Sequence, residues 1–206
     1  MKKVVCIVVM TMLGLGSLSA QDVKLGVKAG INFSNVSGDI ENSDFKTGLN
    51  FGGFAEINLS SKFIFQPEIL FSGQGASYKE SYGTYSSEET IKLNYLNFPF
   101  MVKYALLDKF ALEFGPQLGF LLSANANGTE TNNGEILSYD INIKEYLKSI
   151  DFGLNFGASI DITKNILIGA RYNLGLLNIN EDLEDDENEN IKIQNSVFSF
   201  SVGYRF

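Results

Sequence analysis

Eight charged side chains occupy positions where strands would turn them away from an apolar surface. Lys28, Glu56, Glu68, Lys103, Glu113, Asp161, Arg171 and Arg205 each lie within a run of alternating apolar residues. Each has the parity opposite to the apolar one, or for Lys103 the less apolar one. Four are basic and four acidic. Enclosed together they form an interior network of ion pairs, the expected state for buried charge, because an unpaired buried ion is strongly destabilising. The competing chemistries are a proton or ion path, or a paired-carboxylate acid–base catalyst made from Glu68 and Glu113.

Composition narrows the other possibilities. The sequence has no histidine, which removes the commonest general base and metal ligand. Cys6 is the only cysteine and lies near the N-terminus. Ser–His catalysis is impossible, and no GxSxG elbow is present. No catalytic, cofactor-binding or metal residue is therefore assigned, and the protein is read as non-enzymatic. An acidic chain of net charge −8 without a basic stripe argues against nucleic acid. Glu181 to Glu189 reads EDLEDDENE, with seven carboxylates in nine residues. Such a run is ordinarily a solvated, self-repelling loop. Divalent-cation binding is the sharper reading, but the run lacks the glycine and spacing of an EF-hand loop.

The elements that position the charges are strands. SIDFGLNFGASIDI (149–162) places Ile150, Phe152, Leu154, Phe156, Ala158, Ile160 and Ile162 on one face. The same period of two runs through seven other segments. Their apolar faces are Leu25 to Phe33, Leu49 to Leu59, Phe63 to Phe71, Leu96 to Tyr104, Phe110 to Leu122, Ile166 to Leu176 and Phe198 to Phe206. Three connections are brief, at 60–62, 107–109 and 163–165, and suit tight hairpins. Four are long and polar: SGDIENSD, SYKESYGTYSSEE, NANGTETNNGEI onward, and NINEDLEDDENEN. In an up-and-down meander, all short turns fall at one end and all long connections at the other. That is the layout of an outer-membrane barrel. Two segments break parity. Leu137, Tyr139, Ile141 and Ile143 disagree with Ile150, which calls for a bulge, a short helix at 144–148 or a separate hairpin. Ile191 and Ile193 disagree with Phe198, which calls for a bulge near Asn195.

The polar faces decide what the apolar faces meet. They are rich in glycine, as at Gly26, Gly52, Gly115, Gly153, Gly157 and Gly203, with Asn, Gln and Ser between. Glycine weakens a solvated strand and makes sense where space is short. The lumen of an eight-stranded barrel is only wide enough for side chains to fill. Tyr95, Tyr104, Tyr172 and Tyr204 are candidates for aromatic girdles at the membrane interfaces. Residues 1–20 read as a cleaved secretory signal peptide: Lys2 and Lys3, an apolar core, then small residues ending at Ala20. Its removal takes Cys6 and moves the net charge from −8 to −10. Residues 21–206 are then the barrel domain. The expected fold is an all-β, eight-stranded antiparallel up-and-down transmembrane β-barrel preceded by a cleaved signal peptide.

GVKAGINFS, FQPEILFSGQG, LNYLNFPFMVKY, FGPQLGFLLSA, IDFGLNFGASIDI and the closing FSVGYRF together resemble the PorT-like outer-membrane β-barrel family, also labelled the porin family. The resemblance covers about residues 21 to 206 and implies the outer membrane of a Gram-negative bacterium. It fixes no biochemical activity; one relative assists protein secretion. Tyr204-Arg205-Phe206 resembles the C-terminal signal by which the barrel-assembly machinery recognises its clients.

The expected role is envelope-structural or surface contact through the long loops, with partner unknown. A small-solute pore and an accessory barrel of a secretion system are the alternatives. Outer-membrane lipid and the assembly machinery are the expected partners, without nucleic acid, and the barrel is expected to be a monomer. On this reading Phe156→Lys puts a cation on the lipid face at a cost of about 2–4 kcal/mol. It should reduce the heat-modifiable, membrane-fractionating species on a denaturing gel. Gly157→Phe should reduce it as well, by overfilling the lumen. Normal assembly of Phe156→Lys would mean that the two faces are reversed.

Overall fold

The computed structural model describes residues 23–39, 43–181 and 191–206. The expected signal peptide, and the acidic run beyond Glu181, lie outside the described residues. Nine strands are present among the described residues: β1 Val23–Gly38, β2 Ser43–Asn58, β3 Phe63–Tyr82, β4 Tyr85–Leu107, β5 Phe110–Asn132, β6 Glu135–Asn142, β7 Ile150–Asp161, β8 Ile166–Gly175 and β9 Ile193–Arg205. Eight of them close into an antiparallel ring in the order β4-β3-β2-β1-β9-β8-β7-β5, with β5 returning to β4. The first and last ring strands close it over an unbroken register from Gly26↔Arg205 to Gly38↔Ile193. Closure leaves the ring without a free edge, which a hydrocarbon environment requires.

Alternation sorts the side chains as expected. Phe51, Phe114, Phe156, Ile168, Phe198 and Val202 project outward and are exposed. Aromatic pairs bridge neighbouring strands on that face: Phe51–Phe71 and Phe114–Phe156 at 5.1 Å between ring centres, and Tyr172–Phe198 at 4.8 Å. The interior instead holds lysine, arginine, carboxylates and amides. The molecule is thus inside out relative to a water-soluble β-protein.

Two of the three short turns are closed by their own side chains. Ser60 Oγ accepts from the Lys62 and Phe63 amides, and Thr163 Oγ1 from those of Asn165 and Ile166. The long connections differ from the expectation. SYKESYGTYSSEE is not a loop: β3 and β4 continue through it and turn at Gly83-Thr84. β5 likewise runs on to Asn132. It turns through Asn133-Gly134, both at positive φ as a tight hairpin turn demands, and pairs with β6. Both faces of this extension meet water, so the period-two contrast that marks a membrane strand is absent there. β6 and a short 3-10 turn at Lys144–Tyr146 together absorb the parity change before β7.

Two further expectations are corrected. There is no bulge near Asn195; β9 keeps register, and Ile193 turns inward against an interior apolar cluster. Tyr95 is not a girdle residue. It is 1% exposed, inside the lumen, whereas Tyr104, Tyr172 and Tyr204 lie on the outer parity. The irregularity falls elsewhere. Asn94 faces Ser123 but Tyr95 faces Leu121, so Leu122 is an extra residue in β5, and both Leu121 and Ala124 turn inward.

Phe54 also points inward, lying over Gly26 on the neighbouring strand, where a Cβ would collide with its ring. The ring fills the space that the glycine leaves. Phe54→Ala should therefore destabilise the barrel by about 3 kcal/mol or more in urea unfolding. A loss below about 1 kcal/mol would mean that the lumen repacks freely around Gly26.

Candidate functional site

Every strand of the ring contributes one member to an ion-pair series in the lumen: Lys28 from β1, Glu56 from β2, Glu68 from β3, Lys103 from β4, Glu113 from β5, Asp161 from β7, Arg171 from β8 and Arg205 from β9. The structure brings all eight together. They form one continuous series of alternating sign: Lys28–Glu68 (3.1 Å), Glu68–Arg171 (2.9 Å), Arg171–Glu113 (2.7 Å), Glu113–Lys103 (3.4 Å), Lys103–Glu56 (3.1 Å), Glu56–Arg205 (2.7 Å) and Arg205–Asp161 (2.6 Å). Seven of the eight residues are buried. Asp161, whose side chain is 36% exposed, opens the series to the short-turn end.

The geometry bears on acid–base chemistry. Arg171 grips Glu68 with two parallel bonds, Nη1 to Oε2 at 3.0 Å and Nη2 to Oε1 at 2.9 Å, and its Nη2 also donates to Glu113 Oε2. Gln66 donates to Glu68 Oε1 at 2.6 Å, and Lys28 donates to both Glu68 oxygens. Both oxygens of Glu68 are engaged. Glu113 bonds Arg171 through Oε2 and faces Lys103 through Oε1. A general base needs an oxygen free to reach a substrate proton. This pair has its oxygens committed to cations.

Polarity changes in layers along the lumen. Above the charges stand amides and hydroxyls: Asn50 donates to Asn32 Oδ1 at 2.6 Å, Asn32 to Ser72 Oγ at 2.9 Å, Asn155 to Gln117 and Asn173 to Asn155, both at 3.2 Å. A cavity of about 30 Å³ lies in this layer, room for no more than a few waters. Higher still, Asn195 donates to Asp151 Oδ2 at 2.8 Å and to the Tyr95 hydroxyl at 3.3 Å. The long-connection end is closed by an apolar cluster of Leu93, Tyr95, Leu121, Ala124 and Ile179, with Ile91, Ile143, Leu147 and Ile193 against it. Ile179 is held over the mouth by main-chain bonds: its amide donates to Ile193 O, and its carbonyl accepts from Lys148 N.

Sequence parity did not foresee this cap. Leu121 and Tyr95 lie on the polar parity of their strands, and Ile179 lies in a polar connection. The one available signal was the pair of adjacent leucines, Leu121-Leu122, which cannot both face lipid in a regular strand. At the acidic run only Glu181 is described, its amide bonded to Tyr146 O. Among the described residues no group of three or more metal-ligating side chains is placed to hold a cation.

If the series holds charge as a unit, Arg171→Met should cost about 3–5 kcal/mol, since it leaves the series one cation short between Glu68 and Glu113. Asp161→Asn, at the solvent-open end, should cost about 1 kcal/mol or less. Denaturant unfolding in lipid vesicles gives both values. Equal costs would show that the central links are no more sheltered than the terminal one.

Residues 19–181 match the family model described as outer membrane protein beta-barrel domain. No curated protein matches the sequence. Solved structures similar to this one include Neisserial surface protein A, at 13% identity over 88% of this chain and 97% of that one, with a TM-score of 0.51. CarO of Acinetobacter baumannii shares 11% identity over 87% and 97%, with a TM-score of 0.46. Ail, the attachment invasion locus protein of Yersinia pestis, shares 12% over 89% and 98%, with a TM-score of 0.42. At such identities the likeness speaks to fold alone, and only the first is close enough for that.

Proposed function

The chain belongs to the outer membrane protein beta-barrel domain family and is an integral protein of the cell outer membrane, and from that premise we propose that it is a closed, non-enzymatic barrel serving envelope structure and surface contact. The filled lumen carries this reading. Lys103 is 2% exposed and Glu68 1%. The amide layer leaves a cavity of only about 30 Å³, and the apolar cap lies across the far end. A solute would have to part both the ion-pair series and the cap. The rigid ring then serves as a scaffold, and recognition falls to the strands and connections beyond it.

Further parts of the proposal rest on the sequence. Residues 1–20 act as the signal peptide. The strand ending at Phe206 engages the assembly machinery, and the barrel works as a monomer among outer-membrane lipids. Within the family, the quoted motifs support kinship with the PorT-like members. The committed Glu68 and Glu113 oxygens support a role in holding the barrel rather than in catalysis.

Planar-bilayer recording of the purified protein tests the closed lumen. The expected trace has no reproducible unitary steps. Stable steps of constant size would replace this reading with that of a small-solute pore.

A further inference from the structure

Above the mouth, β3, β4, β5 and β6 continue as a four-stranded sheet. Its last strand differs from every ring strand. Among the described residues β6 pairs with β5 and with nothing on its other side. The ladder runs from Asn132↔Glu135 to Asn125↔Asn142 and continues with the Ile143 amide donating to Ala124 O. In an antiparallel ladder alternate residues bond to the same neighbour. Residues 135, 137, 139 and 141 therefore spend their main-chain groups on β5. Ile136, Ser138, Asp140 and Asn142 turn theirs to the open side.

Open edges are templates for another strand, and proteins ordinarily blunt them with lysine, proline or a bulge. β6 has none of these, and its pairing to β5 is regular over eight residues. Its apolar side chains are bare on both faces: Ile136 is 71% exposed, Leu137 64% and Ile141 52%. Its charges are all of one sign. Glu135 and Asp140 lie on opposite faces of the strand, Glu130 is beside it on β5, and β6 carries no cation. Lys79, elsewhere on the sheet, is already bound to Glu88 at 2.9 Å, which raises its ammonium above the ordinary lysine value. Lys144, just past β6, donates to Leu122 O at 2.8 Å.

We infer that the β6 edge takes up an extended basic polypeptide segment of another protein as an added strand; the inference rests on the surface-contact role proposed above. Main-chain bonds to residues 136–142 supply the affinity, and alternate side chains supply the choice. Lysine or arginine opposite Glu135 and Asp140 makes favourable cross-strand pairs, and apolar residues cover Ile136 and Ile141. A second copy of this chain fits less well, because it would bring its own Glu135 and Asp140 to an edge that is already acidic. The acidic run 181–189 is excluded as the occupant by the same repulsion.

The test uses the full barrel in zwitterionic detergent micelles. The probes are a fluorescent eight-residue peptide of valine and threonine with two lysines five residues apart, so that one lysine falls on each face, and its counterpart with glutamate at the same two positions. The lysine peptide should bind, the glutamate peptide should not, and binding should slow hydrogen exchange at the Ser138 and Asp140 amides. Ser138→Pro removes an outward N–H while sparing the ladder to β5. It should weaken binding by about tenfold with the heat-modifiable barrel unchanged. Glu135→Lys with Asp140→Lys, which leaves the backbone intact, should reverse the preference between the peptides. Unchanged affinity in Ser138→Pro, equal binding of both peptides, or a peptide-free dimer that Ser138→Pro dissolves would overturn the assignment. Surface contact that survives Ser138→Pro but is lost on proteolytic shaving of the extension retires the edge and leaves the surface-contact reading standing. Contact that survives shaving retires both.

Discussion

A single series of buried ion pairs constrains this barrel more than any other feature. Each ring strand supplies one member, the signs alternate along the series, and the four cations match the four anions. Buried charge is tolerable only when paired and hydrogen-bonded. The series is therefore complete only when all eight strands are in place. One link, Glu68–Arg171, joins β3 to β8 across the ring, and all the others but Glu113–Lys103 join strands that are not neighbours. They thus report on closure and not merely on pairing between neighbours. A one-residue slip of any ring strand would turn its charge toward lipid.

The other features follow from where that series sits. Charges near the short-turn end leave the middle of the lumen to amides, which satisfy one another, and the far end to an apolar cap. Glycines on the inner parity make room for the large polar side chains, and Phe54 fills what Gly26 leaves. Outside, phenylalanine and branched residues face hydrocarbon. With the bore filled, the surfaces left for recognition are those beyond the membrane, chiefly the sheet that ends at β6.

Much of this was legible in the sequence, for a physical reason. A membrane strand has hydrocarbon on one side and a polar lumen on the other, so alternation is strong. It marked the ring segments from Leu25 to Phe206. Parity also named the eight charged residues that the structure brings together, but not the order in which they link, which depends on shear and side-chain reach. The outer halves of β3, β4 and β5 were read as loops because water bathes both their faces. Tyr95 and Leu121 keep the inward parity of β4 and β5 although neither is a polar lumen residue by type, so the pattern does not assign them to a cap; the extra residue at Leu122 then brings Ala124 inward as well. An inward Ile193 makes sense only against the interior apolar cap, which the alternation of a single strand does not announce.

The most direct measurement is a double-mutant cycle on Glu68 and Arg171, using Glu68→Gln, Arg171→Met and the pair together, read as unfolding free energy in lipid vesicles. The account predicts strong coupling of about 2 kcal/mol or more, with the double variant far less damaged than the sum of the singles. Additivity within about 0.5 kcal/mol would contradict it, because the two charges would then be acting independently in a lumen open to water.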